Sequence, residues 1–378
     1  MTSAHDDRGS RLPHALVALY AAAIAYASLQ PFGDWMKPLP DTPFWLLGPE
    51  PARTTNFDII VNFASYVPLG FFASLLSRRA TAVGAMLIAL VTGAALSFTM
   101  ETLQWHMPPR YANIVDFAAN TFGALAGGML GAMYSGSPLR TALRELRPQL
   151  VLPGTIGDVG LALLAAWFVA QFNPAIPPFA LTFDPEPLIG AVSAARTNDV
   201  AATLIEAAQS AFHLLGVGLF VALLVRQRHY ALGSALLMVG VALLVKGAAA
   251  TLLLKPAAVS TWLSPGVLVG VAVGVLLLVP ATLLPRAAQV AICAVALLSS
   301  LLVPLLAPEL MFASAPLTLF NWRYGHLLNF NGLTRIVLVV WPLAASVWLF
   351  ALAGKPGWGH AEDRTRPDAA PDSEPDPL

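Results

Sequence analysis

Apolar runs close to twenty residues long recur along this chain and alternate with shorter polar connections. A helix needs about 20 residues to cross about 30 Å of hydrocarbon, so each run predicts one membrane span. The predicted spans are residues 14–31, 57–77, 80–100, 113–134, 155–172, 207–225, 230–253, 264–284, 287–305 and 334–353. They predict an all-α, polytopic transmembrane bundle of about ten helices.

The composition supports an integral membrane protein. Hydrophobic residues make up 57% of the chain and charged residues only 11%, with a mean hydropathy of +0.69. Soluble globular proteins are typically about 25% charged. The formal net charge is zero, so no overall field favours nucleic acid as a partner. Membrane lipid is the expected surrounding, and the sequence does not indicate an oligomeric state.

The basic residues predict an orientation. Cytoplasmic loops of membrane proteins carry an excess of Lys and Arg. With both termini in the cytoplasm, thirteen of the 21 basic residues lie inside. We therefore expect a multi-pass membrane protein whose two termini lie in the cytoplasm. The stretch AYAS at 25–28 resembles a signal-peptidase site, and cleavage there would leave nine spans without changing this orientation.

The loops divide the predicted bundle into three parts. Arginines between 140 and 148 interrupt the apolar pattern, so we expect a four-helix domain at 1–140 and a six-helix extension at 141–354. The tail at 355–378 is rich in Pro and Asp and is expected to be disordered in the cytoplasm.

Polar residues gather at one end of the second, third and fourth predicted spans. At 100° per residue, Asp116 and Asn120 share a helix face with Gly123, Gly127 and Gly131. Small residues at this spacing let another backbone approach closely, so these glycines are predicted to pack against protein. The same face therefore directs Asp116 and Asn120 into the bundle.

The neighbouring spans add matching polar faces. Glu101 and Gln104 end the third span, and Asn62 and Tyr66 share a face of the second. With the predicted orientation, this end lies in the outer leaflet. Acids inside a membrane are costly and are generally paired or functional. Arg110 follows the third span, and its guanidinium could hold two carboxylates or a phosphate.

The cluster has a packing explanation and a binding explanation. Glu101, Arg110 and Asp116 could simply pair and join two helices. The additional carboxamides and the phenol exceed what such a pairing needs, which favours a ligand site. The predicted ligand-binding set comprises Asn62, Tyr66, Glu101, Gln104, Arg110, Asp116 and Asn120.

Two segments resemble a known family. The stretches NFDIIVNFASYVPLG and ETLQWHMPPRYANIVDFAANTFGALAGG are similar to the VanZ-like family of bacterial membrane proteins. The resemblance covers about residues 14–134 and is carried by polar and small residues in fixed order. These are Asn62, Phe63, Tyr66, Gly70, Glu101, Gln104, Pro109, Arg110, Asp116, Asn120 and Gly123. The resemblance implies a multi-pass protein of the bacterial inner (cytoplasmic) membrane. It also implies a connection with the cell envelope, because the named member is associated with low-level teicoplanin resistance.

Three functions follow from these observations. The leading hypothesis is binding of an envelope glycolipid or a glycopeptide at the outer face. The second is an enzyme acting on a glycolipid, with Glu101 and Asp116 as candidate catalytic acid and base. The third is a secondary transporter, which the position of the cluster at one end of the helices disfavours.

Neither a metal nor a cofactor is predicted. The sequence has no Walker glycine loop, CxxC or HExxH motif. His106 could join Glu101 and Asp116 around a metal, but one loop histidine with two acids lacks the ligand spacing of catalytic zinc. A separate set in the extension, Lys246 and His213 with Glu206 just above His213, could relay protons or ions, although packing roles are commoner for such residues.

Overall fold

A computed structural model describes residues 10–30, 32–33, 35–38, 43–48, 55–77, 80–107, 112–181, 199–306 and 324–355. The described part is helical, and its only β pairing is an isolated bridge between Val151 and Val225. Most of the predicted tail, residues 356–378, lies outside these ranges. The all-α prediction is therefore confirmed.

Eleven helices are described. They are α1 (Leu12–Leu29), α2 (Asn56–Ser74), α3 (Ala82–Gln104), α4 (Ile114–Ser135), α5 (Pro138–Leu150), α6 (Gly154–Gln171), α7 (Asp199–Leu224), α8 (Arg228–Leu253), α9 (Pro265–Leu283), α10 (Arg286–Leu306) and α11 (Tyr324–Ala353). In the described ranges, ten of them are long and apolar enough to cross a membrane. The predicted set of ten spans is thus confirmed, and α5 is the additional helix.

Helices α2, α3 and α4 form a tightly packed group at the N-terminal end of the chain. A β-carbon placed at Gly123 would overlap the carbonyl oxygen of Phe63, and one at Gly70 would overlap the carbonyl oxygen of Ala124. The α2 and α4 backbones are therefore in direct contact. Such contact fixes the register between the two helices and, with it, the relative heights of their polar side chains.

The remaining spans surround α7, whose apolar stretch is almost entirely buried. Helices α8, α9 and α10 pack on α7, while α11 packs on α6 and α10. After α6, the non-helical segment 172–181 is mostly buried among these helices. Non-helical backbone is tolerated at such depth because protein, rather than lipid, surrounds it.

Helix α1 contacts both groups, packing against α2 and α3 on one side and against α6 and α11 on the other. Its start is joined to α6 by Asp158, which is 3% exposed. Asp158 accepts hydrogen bonds from Ser10 Oγ at 3.0 Å and from Arg11 N at 2.7 Å, and it pairs with Arg147 of α5. One carboxylate thus links three segments.

Candidate functional site

The polar ends of α2, α3 and α4 meet in one hydrogen-bonded cluster. Asn62 Nδ2 of α2 donates to Asp116 Oδ1 of α4 at 2.6 Å. The second oxygen of Asp116 accepts from Asn113 Nδ2 at 2.7 Å. Asn113 is the N-cap of α4, and its Oδ1 accepts from Asp116 N at 2.8 Å. The N-cap bond and the two amide donors together hold the Asp116 carboxylate in one orientation.

Glu101 joins the same cluster from α3. Its Oε2 accepts a hydrogen bond from Asn113 N at 3.0 Å, and the residue is 3% exposed. Asn113 therefore contacts both acids, through its backbone to Glu101 and through its side chain to Asp116. The two environments differ, because Asp116 is only half-buried. The cluster consequently offers one deep carboxyl group and one near its edge.

Further inside the bundle, Asn120 Nδ2 donates to Ser97 Oγ at 3.0 Å. Tyr66 packs beside Ser97 and Glu101. The Tyr66 hydroxyl and Asn120 Oδ1 are both buried, and among the residues that the structure describes neither has a hydrogen-bond partner of good geometry. A buried polar atom without a partner costs about 1–3 kcal/mol. The inner part of the cluster is therefore polar and incompletely satisfied.

The remaining predicted residues fall into two cases. Gln104 faces α1 and not the cluster. Its Nε2 donates to the carbonyl oxygen of Ser28 on α1 at 2.9 Å. Arg110 and Pro109 lie outside the described residues. The structure thus links Asn62, Asp116 and Glu101 through Asn113, while Asn120 forms a separate pair with Ser97 next to Tyr66.

Aromatic side chains pack beside the outer end of α3. Trp45 is buried in a short 3₁₀ turn, Trp45–Leu47, and its Nε1 donates to Thr102 Oγ1 at 3.2 Å. Its ring contacts those of Phe98 and Phe117. This turn closes one side of the helix ends and leaves the half-buried Asn62 and Asp116 at the edge of the cluster.

The sequence reasoning missed the central position of Asn113. A signal for it was present, since Asn followed three residues later by Asp, just ahead of an apolar run, is typical of a helix N-terminus. As the N-cap, Asn113 bonds Asp116 through its side chain, while its backbone N–H is left to bond Glu101. Ser97 lies one turn before Glu101 on α3, and its contact with Asn120 depends on how α3 and α4 pack.

Replacing Asn113 with alanine should destabilise the protein by about 2 kcal/mol. The N-cap bond to Asp116 N is worth about 1 kcal/mol, and loss of the donor to the Asp116 carboxylate adds a similar amount. The measurement is thermal unfolding of the purified protein in lipid nanodiscs.

Thr81→Ala provides the matched control. Thr81 caps α3 by accepting from Gly84 N at 3.1 Å, at an exposed site away from the cluster. Its loss should cost no more than about 1 kcal/mol. Equal destabilisation by both substitutions would show that Asn113 is only a cap.

The other candidate residues occupy separate environments. His106 Nδ1 lies 2.9 Å from the carbonyl oxygen of Thr102. In the described part of the chain, no group of three or more His, Cys, Asp or Glu side chains is arranged to hold a metal ion. The structure therefore gives no support to a metal site at His106.

Lys246 and His213 have different partners in the extension. Lys246 Nζ donates to the carbonyl oxygen of Asn173 at 2.7 Å. His213 Nε2 accepts from Trp167 Nε1 at 3.0 Å, and its Nδ1 lies 3.3 Å from Ser300 Oγ. The Lys246 bond satisfies a backbone carbonyl of the non-helical segment after α6, and the His213 contacts join side chains of three helices at the centre of the bundle. Both are the roles expected of packing residues.

The fold and its hydrophobic surface define a multi-pass α-helical membrane protein whose spans contact lipid. Residues 11–134 match the model of the VanZ/LLP1 family, so the N-terminal segment of this chain is VanZ-like. The match includes α1 to α4 and the whole hydrogen-bonded cluster. Helices α5 to α11 lie beyond it. A search of curated proteins found no match, and neither did a search of solved structures.

Proposed function

We propose that this protein binds a cell-envelope component at the extracytoplasmic face of the bacterial inner membrane. The ligand class is a lipid-linked glycan or peptidoglycan precursor, or a glycopeptide antibiotic of the teicoplanin kind. The observation that carries the proposal is a pair of buried polar atoms, Tyr66 Oη and Asn120 Oδ1, which make no hydrogen bond of good geometry with the described residues of the polar cluster.

Unpaired buried polar atoms favour binding over simple helix pairing. Folded proteins satisfy the great majority of their buried polar groups, and unsatisfied groups call for an explanation. A cluster that served only to hold three helices together would gain stability by completing these bonds. A ligand with hydroxyl or amide groups would complete them instead, since Tyr66 Oη can donate or accept and Asn120 Oδ1 accepts.

The arrangement suggests how a ligand would be held. Sugar hydroxyls or peptide amides would first meet Asn62 and Asp116, which are half-buried at the edge of the cluster. Glu101, which lies deeper in the cluster, would accept a hydrogen bond from a donor group of the ligand. Arg110, one residue beyond the family motif's proline, would neutralise a phosphate or carboxylate of the ligand. Gln104 would contribute indirectly, by holding the end of α3 against α1 through its hydrogen bond to Ser28.

The orientation rests on the basic residues. The cluster lies where α2 and α4 begin and α3 ends, whereas Arg140, Arg144, Arg226 and Arg286 lie at the opposite end of the helices. Because the positive end of a membrane protein faces the cytoplasm, the cluster faces outward. That is the side on which assembled envelope precursors and antibiotics are present.

Tyr66→Phe is expected to weaken ligand binding roughly tenfold while leaving the protein as stable as the wild type or slightly more so. Among the described residues the hydroxyl lies beside Ser97 without a hydrogen bond of good geometry, so the free protein loses little, whereas a bonded ligand would lose a hydrogen bond. Binding of a fluorescent lipid-linked peptidoglycan precursor, and separately of teicoplanin, is to be titrated in nanodiscs alongside thermal unfolding.

Tyr134→Phe is the matched control on the same helical group. Tyr134 packs on Phe71 at the far end of α4 and should not affect binding. Unchanged affinity in Tyr66→Phe would contradict the proposal, as would a fall in affinity matched by an equal loss of stability. Failure of the wild type to bind either probe would remove this ligand class.

An enzymatic function is the second candidate. The specific observation in its favour is that Glu101 and Asp116 share Asn113 as a partner while one is deeply buried and the other is half-buried. Carboxyl groups in unlike environments suit separate acid and base roles. Conversion of the labelled precursor that disappears in Glu101→Gln would support catalysis, and binding without conversion would count against it.

A further inference from the structure

Helix α5 has a leucine face and an arginine face. Its leucines recur at positions 139, 143, 146 and 150, which fall within about 60° of one another on a helix. Arg140, Arg144 and Arg147 fall within a similar arc along one flank of the leucines. No residue of α5 is buried. A short, strongly amphipathic helix of this kind is typical of the membrane interface.

The position of α5 places it at the boundary of the bilayer. It begins three residues after the span α4 ends, and the span α6 begins four residues after it ends. The end of α5 is tied to the connection between α7 and α8, because Arg226 N donates to Leu150 O at 2.8 Å and Arg226 Nη1 to Pro148 O at 3.0 Å. Helix α5 therefore lies at the level where these spans leave the hydrocarbon.

The leucine face has no cover within the described protein. Leu139, Leu143 and Leu146 are 59%, 47% and 46% exposed. At the edge of a bilayer, acyl chains are the apolar phase available to such side chains. The leucines are flanked by arginines, whose long stems can reach the lipid phosphates from the same depth.

The arginine face is suited to an anionic headgroup. A cleft of about 390 Å³ at the start of α5 is lined by Ser135, Arg140, Thr141, Arg144 and Glu145. Arg140 is held beside it by a 2.9 Å bond to the carbonyl oxygen of Ser135. Arg144 donates no hydrogen bond within the described residues, so its guanidinium is available. Two arginines against one carboxylate leave an excess of positive charge.

We propose that α5 is an interfacial lipid-binding helix, which inserts Leu139, Leu143 and Leu146 among the acyl chains and binds the phosphate of an anionic phospholipid through Arg140 and Arg144. This site is separate from the polar cluster and lies at the opposite end of the bundle. It anchors the junction between the VanZ-like segment and the following helices to the leaflet surface.

Spin labels on two faces of α5 test the insertion. Leu143→Cys and Glu145→Cys place labels on nearly opposite faces of the same helix, and Cys293 is buried and should remain unlabelled. The full-length protein is studied in nanodiscs of phosphatidylglycerol and phosphatidylcholine. Accessibility of each label to two relaxation reagents is measured by electron paramagnetic resonance. The label at 143 should be relaxed mainly by oxygen, which concentrates in the bilayer, and the label at 145 mainly by a water-soluble nickel chelate.

Two outcomes of this measurement would overturn the insertion. Equal access of the nickel chelate to both positions would place α5 outside the bilayer. Protection of position 143 from both reagents would show that protein, such as a second copy of this chain, covers the leucines.

The headgroup contact is tested by titrating fluorescent phosphatidylglycerol. Arg144→Gln should weaken its binding roughly fivefold, the effect expected for one arginine near an anionic surface. Arg144→Lys keeps the charge and should retain most of the affinity. Lys355→Gln removes an exposed cation after α11 and should change affinity less than twofold. Equal losses in Arg144→Gln and Lys355→Gln, or no loss in either, would overturn a specific site.

Discussion

Gly127→Val is expected to prevent stable packing of α2 against α4, at a cost of about 3 kcal/mol or more. A β-carbon at Gly127 would overlap the carbonyl oxygen of Val67 and lie 2.7 Å from the backbone nitrogen of Phe71. Backbone atoms inside a helix cannot rotate away, so the helices must separate. Because folded domains are stable by only about 5–15 kcal/mol, the loss is a large share of the total.

Gly240→Val is the control for this experiment. Gly240 lies on α8, and a β-carbon there meets nothing within 4 Å. The same substitution should therefore leave unfolding nearly unchanged. Both variants are compared by thermal unfolding in nanodiscs and by binding of the envelope precursor. A Gly127→Val protein that unfolds like the wild type would show that α2 and α4 are not in backbone contact.

Asp158→Ala is expected to lower the free energy of unfolding by about 2–3 kcal/mol. Asp158 is buried, and its removal leaves Arg11 N and the Arg147 guanidinium without their acceptor. Breaking a buried pair from one side is strongly destabilising because the remaining group has lost both water and partner. Arg147 is 32% exposed at its side chain, which keeps the expected loss below that of a fully buried pair.

Two comparisons isolate the role of Asp158. Asp158→Asn keeps one acceptor and should recover part of the lost stability. Glu145→Ala removes an exposed carboxylate from α5 and should change unfolding by less than about 0.5 kcal/mol. If Asp158→Ala behaved like Glu145→Ala, the junction of α1, α5 and α6 would not depend on this carboxylate.

The spans were predictable because their signal is local. Each needs about twenty apolar residues, and lipid imposes that requirement whatever the rest of the chain does. All ten predicted spans are present, including α3, where Glu101 falls inside the final turn. Helix α5 was missed because its leucines alternate with arginines, so that a test based on hydropathy treats the segment as a polar break.

The candidate site was only partly predictable. Helical periodicity alone placed Asn62, Asp116 and Asn120 on inward faces, and the family resemblance strengthened that interpretation. Gln104 has the same periodicity, but it bonds to α1, because α1 packs against that side of α3. Asn113 became central only because capping α4 directs its side chain and backbone toward two different acids.

By itself, the sequence determined the fold class, the ten spans and a VanZ-like N-terminal segment, because these depend on residue type and spacing along single helices. Only the tertiary structure decided which polar groups meet. Direct contact between the α2 and α4 backbones sets the height at which Asn62 reaches Asp116. The packing of α3 against α4 pairs Ser97 with Asn120 and places Tyr66 Oη beside Ser97 without a hydrogen bond of good geometry in the described part of the chain. A hydrogen bond between helices depends on their relative height and rotation, and no single helix contains that information.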